Sequence, residues 1–156
     1  LGWLTLTATG GHPGENSKRA VVRRWIAPQD CTVTISGALE HTSESGDGVR
    51  GYIISTQGAL GFWPVHHGKR EMSIPKLEVK QGEAIDFVVD CNATVENDSF
   101  TWTPSIKALS PTGSASTLAW NAKEDFSGPK EIVQPLGPWE KYAQVLLMSN
   151  ELAFID

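Results

Sequence analysis

The run Cys31-Thr32-Val33-Thr34-Ile35-Ser36-Gly37-Ala38-Leu39 alternates polar and apolar residues with a period of two, and it constrains the chain more than any other feature. Neighbouring side chains on a strand point to opposite faces. Val33, Ile35 and Leu39 therefore belong to a core, while Thr32, Thr34 and Ser36 face away. The same signal recurs in short pieces along the first two thirds of the chain. Trp3 to Thr7 alternates. Ala20 to Ala27, closed by Pro28, sets Val21, Arg23 and Trp25 on one face and Val22, Arg24 and Ile26 on the other. Val49 to Ile54, Phe62 to His66 and Ala84 to Asp90 read as further strands, the last with Ile85, Phe87 and Val89 inward. Met72 to Val79 is extended but interrupted by Pro75, which suits an edge or a bulge. Phe100 to Ile106 reads as the final strand, with Trp102 and Ile106 on one core face.

Turn chemistry separates these pieces. Gly10 to Asn16 is a rigid polar loop, and His41 to Gly48 is another. Gly58 to Gly61 and His67 to Lys69 read as turns, and Lys80-Gln81-Gly82-Glu83 as a hairpin-like turn. Seven to nine short strands punctuated in this way argue an all-β, antiparallel sandwich over residues 1–109. Beyond Leu109 the pattern changes. Residues 110–137 are rich in small residues at first and show no period, so they read as a linker. Pro138 then opens a short helix within a tail of residues 138–156. Trp139, Tyr142, Ala143, Leu146 and Leu147 share its apolar face.

Composition excludes several function classes. Thirteen Lys and Arg against eighteen Asp and Glu give a net charge of −5, which is not the basic footprint of nucleic-acid binding. No apolar run approaches the roughly 20 residues of a membrane span. Leu1-Gly2-Trp3-Leu4 carries no basic start or cleavage pattern, so no signal peptide is expected in it. Two cysteines, Cys31 and Cys91, make neither a zinc knuckle nor a haem attachment. They are either a disulfide, if their strands are antiparallel neighbours, or two buried thiols. There is no nucleophile elbow, no His-Glu-x-x-His and no phosphate-cradling loop, so catalysis has no positive support.

Binding fits the residues better. Trp63, after Gly61-Phe62 and before Pro64, reads either as an exposed aromatic platform with Tyr52 in support or as core or rim packing. An aromatic ring stacks on a sugar face, and a neighbouring imidazole such as His66 meets a hydroxyl. His66 and His67 are strand neighbours on opposite faces and are poorly placed for one metal. His12 in one loop, Asn97 and Asp98 in another, and Arg50 on a strand supply the polar groups a polyhydroxylated ligand needs. Glu40, Glu44 and Asp47 crowd a turn that offers oxygen ligands to a structural Ca²⁺, without EF-hand spacing; no other cofactor is expected.

Several of these motifs also resemble a known family. They are Thr9-Gly-Gly-His12-Pro-Gly14, Arg23-Arg24-Trp25-x-Ala27-Pro28, Gly46-Asp-Gly-Val-Arg50, Gly82-x-x-Ile85-Asp-Phe87-Val-Val-Asp90 and Asp98-Ser-Phe100-Thr-Trp102-x-Pro104, with the tail Trp139-Glu-x-Tyr142-Ala-Gln-Val-Leu-Leu147. Together they resemble the C-terminal β-sandwich segment and closing helix of large planctomycete cytochrome-type multidomain proteins. That segment is similar to galactose-binding-like jelly-roll carbohydrate-binding modules. The resemblance implies a bacterial, exported protein, extracellular or periplasmic, whose upstream domains are partners of this one. The expectation is a non-catalytic module that holds a larger protein on polysaccharide. The alternatives are a structural interdomain or protein-interaction domain and a small polysaccharide-active enzyme.

Overall fold

A computed structural model describes residues 3–109, 118–127 and 137–148. The chain divides into two units, Leu1–Phe126 and Ser127–Asp156. In the first, the strands are β1 (Thr5–Leu6), β2 (Gly10–His12), β3 (Val21–Ile26), β4 (Cys31–His41), β5 (Val49–Ser55), β6 (Gly58–Val65), β7 (Gly68–Val79), β8 (Ala84–Cys91), β9 (Phe100–Trp102), β10 (Ser105–Leu109) and β11 (Ala119–Asn121). A single helical turn, α1 (Ala122–Asp125), follows. Among the described residues all pairings are antiparallel and fall into two sheets. The four-stranded sheet has the order β3-β8-β5-β6. The seven-stranded sheet is built around β4, the strand with the clearest alternation. One side of β4 pairs with β7; the other pairs with β9 and then β10, which lead on to β2-β1 and to β11.

The period-two reading explains the layering. Val33, Ile35 and Leu39 of β4 are buried, facing Ile85, Phe87 and Val89 of β8 and Val49 and Ile53 of β5 in one apolar core. Trp102 is only 2% exposed, and its ring meets that of Phe87 edge-on at 5.4 Å, tying the two sheets together. Gly51 of β5 lies against side chains of the facing sheet. A Cβ there would sit 2.7 Å from Leu39 Cδ2 and 2.9 Å from Met72 Cε, so only glycine fits without repacking. Arg23 is the polar member of the inward face of β3. Its Nη1 donates to the Trp102 carbonyl at 3.0 Å and its Nη2 to the Thr7 carbonyl at 2.6 Å, while the guanidinium lies 5.5 Å from the centre of the Phe126 ring. Burial pushes its pKa down.

Local departures from the sequence reading have local causes. Pro75 sits in a bulge on the edge strand β7, where the register steps from Val33↔Leu77 to Ile35↔Ile74. Pro104, which has no N–H to donate, splits the expected last strand into β9 and β10, so Trp102 and Ile106 stand on different strands. Gly58 to Gly61 is the start of β6 rather than a turn; the turn lies at Thr56 and Gln57, with Gly58 at φ 113°. Lys80 to Glu83 joins β7 to β8 in different sheets and is therefore no hairpin. The sheet also continues past residue 109. β11 pairs with β10, and Trp120 packs edge-on against Trp25 at 5.0 Å. Only residues 118–127 bear on this; residues 110–117 and 128–136 of the expected linker lie outside the described residues.

The second unit contains α2 (Pro138–Met148), the helix expected from Pro138 onward. Glu140 accepts the Gly137 N–H at 2.7 Å, which satisfies one of the orphan amides of the first turn. Trp139, Tyr142 and Val145 are exposed on it. Residues 149–156, including the rest of the expected tail, lie outside the described residues.

Candidate functional site

The outer face of the four-stranded sheet presents a continuous row across all its strands. Val22 of β3 pairs with Val88 of β8, Val88 with Tyr52 of β5, and Tyr52 with Phe62 of β6. Three inter-strand steps give the row a length of about 14 Å. Phe62 is 53% exposed, and the Tyr52 and Phe62 rings lie 5.1 Å apart at 36°, forming a shallow open aromatic pair. Ile26 and Ile54 extend the apolar surface on the same face and are also exposed. A contiguous exposed apolar patch rimmed by polar groups marks an interaction site more often than an accident of folding.

Charged rows flank this band on both sides. On one side Arg24 grips Asp86, with Nε to Oδ1 and Nη2 to Oδ2 both at 2.7 Å. On the other, Arg50 grips Asp90 in the same two-point fashion, both bonds 2.9 Å. The cross-strand register that aligns the aromatics also aligns these ion pairs, since Arg24 faces Asp86 and Arg50 faces Asp90 directly. Hydrogen bonding to the facing carboxylate raises both arginine pKa values; its charge adds to this, and desolvation opposes it at both. Desolvation raises the Tyr52 pKa, and the charge of Asp90 adds to it. Among the described residues, the charged groups beside the rings, Arg24, Asp86, Arg50 and Asp90, are all paired.

Of the seven residues expected from sequence, Tyr52 and Arg50 meet on this face. Trp63 does not join them. It pairs with Gly51, so it points to the inner side of β6, half-buried against the core at the sheet edge. Gly61 makes room for it: a Cβ there would lie 2.0 Å from the indole. Trp63 and Tyr52 thus cannot form one platform. His12 ends β2 in the other sheet, half-buried, with Nδ1 donating to the Pro13 carbonyl at 2.8 Å.

His66, Asn97 and Asp98 gather around a residue the sequence reading had placed in a loop, His41. Its ring is fully buried at the end of β4. Nε2–H donates to the Asn97 carbonyl at 2.9 Å, and Nδ1 accepts the His67 N–H at 3.3 Å. The His66 ring is 5.7 Å from it. Asn97 takes a left-handed conformation, φ 65°, which presents that carbonyl. Asp98 is fully buried, and neither carboxylate oxygen has a hydrogen-bond partner. His41 Nε2 is 4.0 Å from Asp98 and already committed, so the two make no ion pair. Burial, with a smaller contribution from Asp47, raises the Asp98 pKa to about 7. His41 and Asp98 are enclosed and read as structural, while His66 and Asn97 are exposed at their edge.

Two carboxylates of the suggested cation loop have protein partners. Asp47 accepts bonds from the Ala93 and Thr94 amides and the Thr94 hydroxyl, while Glu44 lies 3.8 Å from His67 Nε2. Among the described residues no group of three His, Cys, Asp or Glu is placed to hold a metal ion. Cys31 and Cys91 are free thiols on strands of different sheets. Burial raises both of their pKa values, which makes them poor nucleophiles. Near Cys31, at the end of β4 away from His41, lies a cleft of about 720 Å³ lined by Gln57, Glu78, Lys80, Glu83 and Leu109 among others. None of the seven expected residues reaches it.

Arg24, Phe62, Asp86 and Asp90 are members of the open face that the sequence reading left out of its candidate site. The signal was the i, i+2 spacing of Arg50 with Tyr52 and of Asp86, Val88 and Asp90, which sets each group on one side of its strand. Taking Gly58 to Gly61 as a turn hid the phase of β6 and put the emphasis on Trp63 rather than Phe62. Comparison with family models, with characterised proteins and with solved structures finds no match to this chain.

Proposed function

We propose that the chain is a non-catalytic carbohydrate-binding module that takes its ligand on the outer face of the four-stranded sheet. The observation that carries the reading is the open Tyr52–Phe62 pair flanked by guanidinium–carboxylate pairs. Aromatic faces gain from covering the C–H side of a sugar ring, and fixed planar polar groups beside them meet its hydroxyls. The finer assignments belong to the same proposal: a jelly-roll path, kinship with the sandwich of planctomycete cytochrome-type proteins, and a role in holding a larger exported protein on extracellular or periplasmic polysaccharide. No metal is needed at this face, because its polar groups already satisfy one another.

A second reading, docking to another protein domain, is favoured by the exposed aliphatic side chains Val22, Ile26 and Ile54, which gain little from a sugar. Affinity electrophoresis against a panel of polysaccharides separates the two. The proposal expects retardation by at least one glycan, lost in Phe62→Ala but kept in Trp63→Ala variants that remain folded by circular dichroism. No retardation by any glycan would leave the face to a protein partner.

A further inference from the structure

We infer that the ligand of this face is a neutral glycan, and that Asp86 and Asp90 are the residues that set this specificity by closing the two arginines beside the aromatic pair. The inference rests on the carbohydrate reading and sharpens it. An uncommitted arginine next to an aromatic platform recognises a carboxylate or sulfate through its planar fork. Here both forks are taken. Arg24 and Arg50 each spend their Nε–H and one Nη2–H on a carboxylate directly opposite in register. An anionic sugar would either meet a guanidinium whose charge its partner already neutralises, with no net attraction to gain, or displace that partner and leave the carboxylate unpaired, with the Asp90 side chain only 6% exposed and Asp86 19%. Its own charge would also meet a chain of net charge −5.

A hydroxyl asks for less. Each guanidinium has five N–H groups, of which two are used, so three remain to donate to a neutral oxygen without breaking the ion pair. The two arginines stand on opposite sides of the Val22-Val88-Tyr52-Phe62 row, so a chain lying along the row meets donors on both flanks. Such a site reads an uncharged, extended polysaccharide.

The test compares neutral gels (galactomannan, xyloglucan, mixed-linkage β-glucan) with anionic gels (polygalacturonate, alginate) in 0.15 M NaCl, for the wild type and for Asp86→Asn. Asp86 belongs to the more exposed pair, and circular dichroism checks the variant's fold. The expected result is retardation of the wild type by a neutral glycan and by neither polyuronate. Asp86→Asn, which frees the Arg24 fork, should gain a salt-sensitive retardation by a polyuronate of roughly two- to fivefold, the scale of one exposed ion pair. Arg24→Gln combined with Asp86→Asn should remove the gain. Salt-sensitive binding of a polyuronate by the wild type would overturn the inference and leave the carbohydrate reading standing. So would an Asp86→Asn variant that gains nothing. No retardation in any gel would remove both.

Discussion

Asp98 offers the sharpest test of the packing. Its carboxyl is fully enclosed and has no donor, because both nitrogens of the neighbouring His41 are committed to the Asn97 carbonyl and the His67 amide. The fold therefore holds the proton, moving the pKa from 3.8 to about 7. Below pH 3.8 folded and unfolded chains are both protonated, and the full benefit of the neutral form is present. Between the two values the unfolded chain has lost its proton and the folded chain keeps it, so stability falls as pH rises. Above pH 7 both are ionised and the benefit is gone. A displacement of about 3 pH units corresponds to roughly 4 kcal/mol, as an order of magnitude.

Asp98→Asn removes the ionisation but leaves an amide with unsatisfied donors, a loss of roughly 1–3 kcal/mol. The variant should therefore match or fall slightly below the wild type at pH 4.5 and exceed it by about 1–3 kcal/mol at pH 8. Urea unfolding followed by tryptophan fluorescence at pH 4.5, 6, 7 and 8 measures the difference. A stability difference that does not change across this range would refute the argument, as would one that shifts in favour of the wild type with rising pH.

Two further substitutions probe the connection between the sheets. Trp102→Ala removes the largest inter-sheet side chain and its edge-on contact with Phe87, and should lower the unfolding free energy by about 3–5 kcal/mol in the same urea assay. A loss under 1 kcal/mol would mean the sheets are joined elsewhere. Arg23→Met keeps the buried stem but leaves the Trp102 and Thr7 carbonyls without their donors, so a loss of roughly 2–3 kcal/mol is expected. Arg23→Lys should not restore it, since one ammonium cannot span two carbonyls as the fork does; full rescue by lysine would contradict the assigned geometry.

The strands were legible in the sequence because burial of one face writes a period of two directly into Val33-Ile35-Leu39 and Ile85-Phe87-Val89. The two faces of β3 were legible for the same reason, with Arg23 on the side of Val21 and Trp25. What escaped were features fixed by pairing between distant segments. Nothing near Ala119 says that it adds a strand beside β10, because that strand is three residues long and lies beyond a small-residue stretch. His41 looked like the start of a polar loop because its burial comes from Asn97 and His67, tens of residues away. The candidate site was half legible. Arg50 and Tyr52 show their common face through their spacing, but their opposition to Asp90 and Phe62 depends on register, which a single strand does not encode. Trp63 drew attention as the larger ring, yet Gly61 beside it is what allows that ring to lie inward against the sheet edge.

The most direct test is a titration of isotopically labelled protein with a neutral oligosaccharide chosen from the gel that retards it most, followed by two-dimensional NMR of backbone amides and aromatic side chains. The account predicts saturable shifts concentrated on Val22, Arg24, Arg50, Tyr52, Phe62 and Val88, with the His41–Asp98 cluster and the cleft beside Cys31 unmoved. Shifts centred on either of those two places, with the Tyr52–Phe62 face silent, would contradict it.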